Sequence, residues 1–238
     1  MTRNLPPQYA MEIVVATSDR SATVRKTAML KTGKLRKIAS KVYTTNMDDS
    51  PEDIVRRNLF YILGQLFPHA VISHRTAYEL KPAESGDIYL TYKYSRNVSL
   101  PGVIVHLLRG PMGTEHDMPF IKNLYVSSAE RRALENLQKG RVRTGVSKCL
   151  PRAYVEEVLE RMLQVNGEQG LNHFRDKARS VSRELHMEEE FKVLDAIVGA
   201  LLSTRPAGGL SSAAAMARVM GLPYDADRLK LFATLFEA

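Results

Sequence analysis

The chain has 238 residues, 44% of them apolar, and a formal charge of +8 with a pI near 9.6. That content supports a buried core in one or two domains, while no apolar run approaches the roughly 18 residues of a membrane span. MTRNLPPQYA lacks the apolar stretch of a secretory signal, and the one cysteine, Cys149, excludes a disulfide framework and fits a reducing, cytoplasmic setting.

The charge is concentrated. Through Thr45 there are nine Lys/Arg against Glu12 and Asp19, whereas the rest of the chain holds 25 basic and 24 acidic residues. The excess therefore sits in the first fifth, the footprint expected of a partner with a phosphate backbone. Gln8 to Thr17 is an apolar run, a first helix or strand packed under the basic segment. Thr17–Asp19 supplies turn and capping chemistry. From Ser21 to Thr32 an apolar stripe (Val24, Ala28, Leu30) near helical spacing predicts a helix with Ser21 as N-cap and Gly33 as its stop. Two β-like runs follow, Lys34–Ile38 and Lys41–Thr44, joined at Ala39–Ser40. Leu35, Ile38 and Val42 or Tyr43 are predicted to face the core and the basic residues to face outward. A helix, a glycine and a basic two-stranded ribbon form the C-terminal half of a winged helix-turn-helix. The bland alternative is a solvated basic helix and hairpin without a partner.

Thr32–Thr45, TGKLRKIASKVYTT, resembles the wing of the N-terminal domain of AbiE-type antitoxins of type IV toxin–antitoxin systems, with Lys41 where that family has Gly. Leu63–Leu80, LGQLFPHAVISHRTAYEL, is similar to a later segment of the same family. The resemblance implies an antitoxin-like transcriptional regulator that represses its own operon.

Ser50, Pro51, Glu52 and Asp53 open a second helix in good order: cap, Pro at the first position, acids in the first turn. It is predicted to run to about Leu66, burying Ile54, Phe60, Ile62 or Leu63, and Leu66 or Phe67, and to stop at Phe67–Pro68. Ser73 is predicted to cap a short helix, His74 to Leu80. From Asp87 the period changes to two, and Asp87–Ser95, Asn97–Leu100 and Gly102–Leu108 read as a small antiparallel sheet. Arg109–Pro119 reads as loop, Leu124–Val126 as a short strand, and Ser127 or Ser128 as the cap of AERRALENLQ. Lys139–Pro151 is a second basic stretch, read as a linker in preference to a second phosphate-contacting loop.

Beyond Pro151 the pattern is helical: Pro151–Gln164, Leu171–Glu184, Glu188–Ser203, an alanine-rich helix to Met220, and a last one from Ala226 to Ala238. Leu194–Gly209 (LDAIVGALLSTRPAGG) and Gly221–Ala238 (GLPYDADRLKLFATLFEA) resemble the region ahead of the catalytic domain in some bacterial Fic-family proteins. The Fic catalytic motif itself is absent; Met118-Pro119-Phe120 is not followed by its glycines.

No phosphate-binding loop, dinucleotide fingerprint or nucleophile elbow occurs. His69 and His74 have no third ligand, His116–Asp117 has no nucleophile, and Tyr89, Tyr92 and Tyr94 read as packing pairs in preference to a base-stacking platform. The expected fold is α+β: a winged helix-turn-helix at 1–47, an antitoxin-like part with a small sheet at 48–150, and a helical region at 151–238. The expected function is DNA-binding regulation without enzymatic activity, cofactor or metal. Arg20, Thr23, Arg25, Lys26 and Thr27 would enter the major groove with Lys31 beside them, and Lys34, Arg36, Lys37 and Lys41 would hold phosphates. The partner is double-stranded DNA, with a toxin, a Fic catalytic domain or a second copy of the chain as further partners and no membrane. The alternative function is a non-catalytic regulatory or targeting region of a Fic-family AMP transferase.

Overall fold

The structure is a computed structural model that describes residues 12–16, 19–139 and 147–203. Its class is α+β, and no helix among these residues is long and apolar enough to cross a membrane. The predicted helices after Ser203 and most of the basic stretch at 140–146 lie outside the described residues.

The first unit is a three-stranded antiparallel sheet in the order β1-β3-β2, made of β1 (Ile13–Val15), β2 (Arg36–Ala39) and β3 (Val42–Thr44). Helix α1 (Arg20–Lys31) lies in sequence between β1 and β2. The part of the apolar run at Gln8–Thr17 that is described is thus a strand. Asp19, not Ser21, caps α1: the helix begins at Arg20, so Ser21 lies inside the first turn and the Asp19 carboxylate accepts from the amides of Ser21 and Ala22. The stripe on α1 is not buried: the helix has no buried residue, and Val24 is 65% exposed.

Helix α2 (Pro51–Leu66) has the bounds its sequence predicts, with Ser50 Oγ accepting from the Asp53 amide. It buries Ile54, Val55, Leu59, Ile62 and Leu63, while Phe60 sits at the margin, edge-on to Phe120 at 5.5 Å. Gly64 is pressed against the Ile121–Lys122 backbone, where a Cβ would clash with the Lys122 carbonyl oxygen.

The expected small antiparallel sheet is a six-stranded mixed one, ordered β6-β7-β5-β4-β9-β8. Its strands are β4 (Val71–Ile72), β5 (Asp87–Tyr92), β6 (Arg96–Leu100), β7 (Val103–Arg109), β8 (Met118–Pro119) and β9 (Tyr125–Val126). After β5 the chain passes to the edge as β6 and returns as β7 between the two, so β5 and β7 run parallel; β4 and β9 are also parallel. All six residues of β5 are buried, so its alternating sequence does not mark a solvated face. The Thr76 hydroxyl of helix α3 (His74–Glu79) accepts the Tyr89 amide at 2.9 Å; Ser73 makes no side-chain capping bond to this helix, and the Glu135 carboxylate accepts the His74 amide.

Ser128 caps α4 (Ala129–Leu137). Helix α5 (Arg152–Leu185) is continuous except at Gly167, whose φ of +69° interrupts it in the gap between the two helices read from sequence. Helix α6 (Glu188–Ser203) packs against it. The described residues form two apolar cores. One gathers Ile13 and Val42 with α2 and the six-stranded sheet, so the basic hairpin shares its core with the middle of the chain. The other joins Ala133 and Leu134 of α4 to α5 and α6.

Candidate nucleic-acid interface

The basic segment is held by local chemistry at each joint. The Asp19 carboxylate also accepts the Ser21 hydroxyl at 2.8 Å, and these bonds hold it below the usual carboxylate range. At the other end of α1 the Lys34 amide donates to the Met29 carbonyl at 2.9 Å and the Gly33 amide to Leu30 at 3.2 Å, with Gly33 at φ +68°. This paired closure of the last turn needs a left-handed residue, and glycine takes that conformation without a Cβ penalty. Chain direction then changes into β2. Leu35 (3% exposed) and Val42 (0%) anchor the hairpin in the core. Its turn is Ser40–Lys41, with Lys41 at φ +63° and an irregular register between Lys37 and Ala39. Lys41 thus occupies the left-handed position of the turn.

Anchored this way, Arg20, Arg25, Lys31, Lys34, Lys37 and Lys41 are all exposed, and none makes an ion pair among the described residues. Arg20 sits at the first position of α1, beside the Asp19 carboxylate that caps the positive end of the helix dipole. Lys26 places its ammonium 5.2 Å from the centre of the Tyr43 ring, a contact worth about 0.5–1 kcal/mol at exposed sites, and so ties α1 to β3. The Thr23 and Thr27 hydroxyls are turned inward along the helix, donating to the carbonyls of Asp19 (2.8 Å) and Thr23 (2.9 Å).

Arg36 differs from its neighbours. Its guanidinium donates to the Asn46 carbonyl at 2.8 Å and to the Asp49 carbonyl, closing the 46–49 turn beneath the hairpin. Arg57 of α2 continues the network, binding both oxygens of Glu12 and, at 2.7 Å, the Asp49 carboxylate, while Asn58 donates to Glu12 at 2.8 Å. The Arg57 hydrogen bonds hold the Glu12 and Asp49 carboxyls below their ordinary range, and the two acids in turn raise the guanidinium.

Away from this segment a buried charge cluster is paired within the fold. Asp117 pairs with Arg131 at 2.6 Å, and Arg131 with Glu135 at 2.8 Å, all buried, while His116 faces Glu184 at 3.2 Å. The Arg131-to-Glu135 spacing on a capped helix was the available signal for that cluster. His74 is buried and its pKa lowered by desolvation, and Cys149 is pushed up for the same reason. The described residues contain no group of three His, Cys, Asp or Glu placed to hold a metal. Tyr89 stacks on His106 and Tyr92 is buried, leaving Tyr94, 38% exposed, as the accessible ring of the three. The described flanks of the second basic stretch meet, with Lys148 Nζ donating to Gln138 Oε1 at 2.6 Å and the Leu150 amide to Asn136 Oδ1 at 2.8 Å.

No protein-family model matches the chain, and no curated protein or solved structure matches it either.

Proposed function

We propose that the chain is a DNA-binding regulatory protein whose α1–β2–β3 segment is the recognition helix and wing of a winged helix-turn-helix. The observation that carries this reading is the set of six exposed cations, without an ion pair among the described residues, on a helix–glycine–hairpin unit whose sheet runs β1-β3-β2. Arg25 would reach base edges from α1, where its fork fits the O6 and N7 acceptors of guanine. Thr23 and Thr27, with hydroxyls already bonded to the helix, would offer their methyl groups to thymine. Lys34, Lys37 and Lys41 would contact phosphates from the hairpin, with Arg20 and Lys31 at the ends of α1, and so fix the register. Arg36 would act by shaping the wing, and Lys26 by joining it to α1. The AbiE-like wing extends this reading to an antitoxin-type repressor of its own operon, working in the cytoplasm and binding as a dimer or beside a toxin.

Fluorescence anisotropy with duplex DNA at low and moderate salt tests it, using Lys34→Glu/Lys37→Glu/Lys41→Glu as the comparison. Affinity should fall steeply with salt in the wild type, with a slope of about 0.9 per phosphate neutralised, and be lost in the variant. A folded wild-type protein that does not bind duplex at low salt would sink the reading.

A further inference from the structure

A second cationic surface lies on the six-stranded sheet. Between Asp87 and Glu115 the chain contains no acid, and its three cations are Lys93, Arg96 and Arg109. The fold brings them to one end of three adjacent strands. Arg109 is paired in register with Tyr92, the residue before Lys93, and its amide donates to Ser95 Oγ at 3.1 Å. Arg96 opens β6 opposite Leu107, two residues from Arg109 on the neighbouring strand. All three are exposed and make no ion pair among the described residues. Lys93 extends over the Tyr92 ring at 5.5 Å, and Tyr94 stands edge-on to that ring at 5.0 Å, its own ring partly open to solvent.

Like charges at neighbouring positions of a sheet repel, and none of the three is paired with a carboxylate among the described residues. The fold gains nothing from that arrangement, so a partner that brings negative charge is the economical explanation. Its location narrows the partner. Strand β6 is the outer edge of the large sheet, β2 is the outer edge of the small one, and the two edges lie against each other with Ile38, Ala39 and Val98 packed on one core. The patch therefore adjoins the wing.

We infer that Lys93, Arg96 and Arg109 form a second phosphate-binding surface that extends the duplex footprint of the wing across the end of β5, β7 and β6, with Tyr94 against the sugar–phosphate backbone. This rests on the DNA-binding reading and adds contacts outside the recognition helix. Each strand presents a phosphate about every 3.4 Å of helix axis, so a duplex on the wing offers further phosphates to an adjoining surface.

The test compares salt slopes of duplex binding for the wild type, for Lys34→Glu/Lys37→Glu/Lys41→Glu, and for Lys93→Gln/Arg96→Gln/Arg109→Gln, with circular dichroism as the fold control. The glutamine variant should bind more weakly, with a slope lower by roughly 2–3, and Arg96→Gln alone should lower it by about 0.9. If the wild type binds and the wing variant does not, but the glutamine variants keep the wild-type slope, this surface is not a duplex contact and the DNA reading stands without it. If the wild type fails to bind duplex, both fall. Phosphatidylserine vesicles form the other arm: retention by the wild type and release in the glutamine variant, with duplex slopes unchanged, would assign the patch to lipid and overturn the inference.

Discussion

Arg36 shows how far a residue's role departs from its charge. In the sequence it is one of four hairpin cations, but its guanidinium is spent on two main-chain carbonyls of the 46–49 turn. A group used in that way cannot release a counterion from DNA, yet it sets where Lys34 and Lys37 stand on either side of it. Arg36→Ala is therefore expected to lower duplex affinity about tenfold, equivalent to about 1.4 kcal/mol, while leaving the salt slope at the wild-type value. A lysine that touches phosphate behaves differently, since its loss changes affinity and slope together. The salt titration separates the two, and a slope reduced by about 0.9 in Arg36→Ala would return Arg36 to the phosphate contacts. The sequence could not disclose this role because the partners are carbonyls ten and thirteen residues away, on a turn whose path depends on the whole hairpin.

Among the elements, α1 stands apart because it is held by its ends. Asp19 fixes the first turn, Gly33 the last, and the Lys26–Tyr43 contact is its side-chain link to the sheet, while no residue of the helix is buried. Helices in proteins owe most of their stability to a packed apolar face, which α1 lacks among the described residues. Removing the cap with Asp19→Ala should speed amide exchange within α1 several-fold and leave the melting temperature of the protein nearly unchanged; a large drop in melting temperature would show that α1 is part of the cooperative core. The local signals of the elements were legible for that same reason: they are local. Ser50-Pro51 and Phe67-Pro68 bracket α2 at its observed bounds, Gly33 ends α1, and Gly167 falls where the helical pattern lapses. The stripe on α1 misled because helical spacing of apolar residues says nothing about whether a neighbour covers them. Sheet order was illegible for a related reason. Alternation in Asp87–Ser95 identifies a strand, but placing β7 between β5 and β6 depends on contacts distant in sequence, and burial of both faces of β5 removes the meaning of alternation.

Across the whole molecule, the question is whether the basic unit moves independently of the rest. Its strands contribute Ile13 and Val42 to the core that α2 and the large sheet build, and Arg57 clamps Glu12 before β1 and Asp49 before α2. Both ties cross from the first unit to the second, which predicts one cooperative unfolding transition in place of a tethered head melting early. The clamp also has a pH signature. Glu12 and Asp49 have depressed folded-state pKa values, so their contribution is fully present above the unfolded values, near 4.5 for Glu and 3.8 for Asp, and is lost as pH falls through the lower folded values. Stability should thus decline on acidification below about pH 4.5. Arg57→Gln removes the main cause of both depressions. It should destabilise the protein near neutral pH and flatten that acid limb, because carboxyls with ordinary folded pKa values exchange no net protons on unfolding. Urea titrations from pH 3 to 7 would follow both effects. If the variant kept the wild-type acid limb, the stability lost in acid would come from other carboxylates and Arg57 would not be the tie between the two units. If instead the variant showed two transitions, the earlier one removing the β1–β3–β2 sheet, the shared core alone would be insufficient, and the ion network would be what makes the basic unit part of the body.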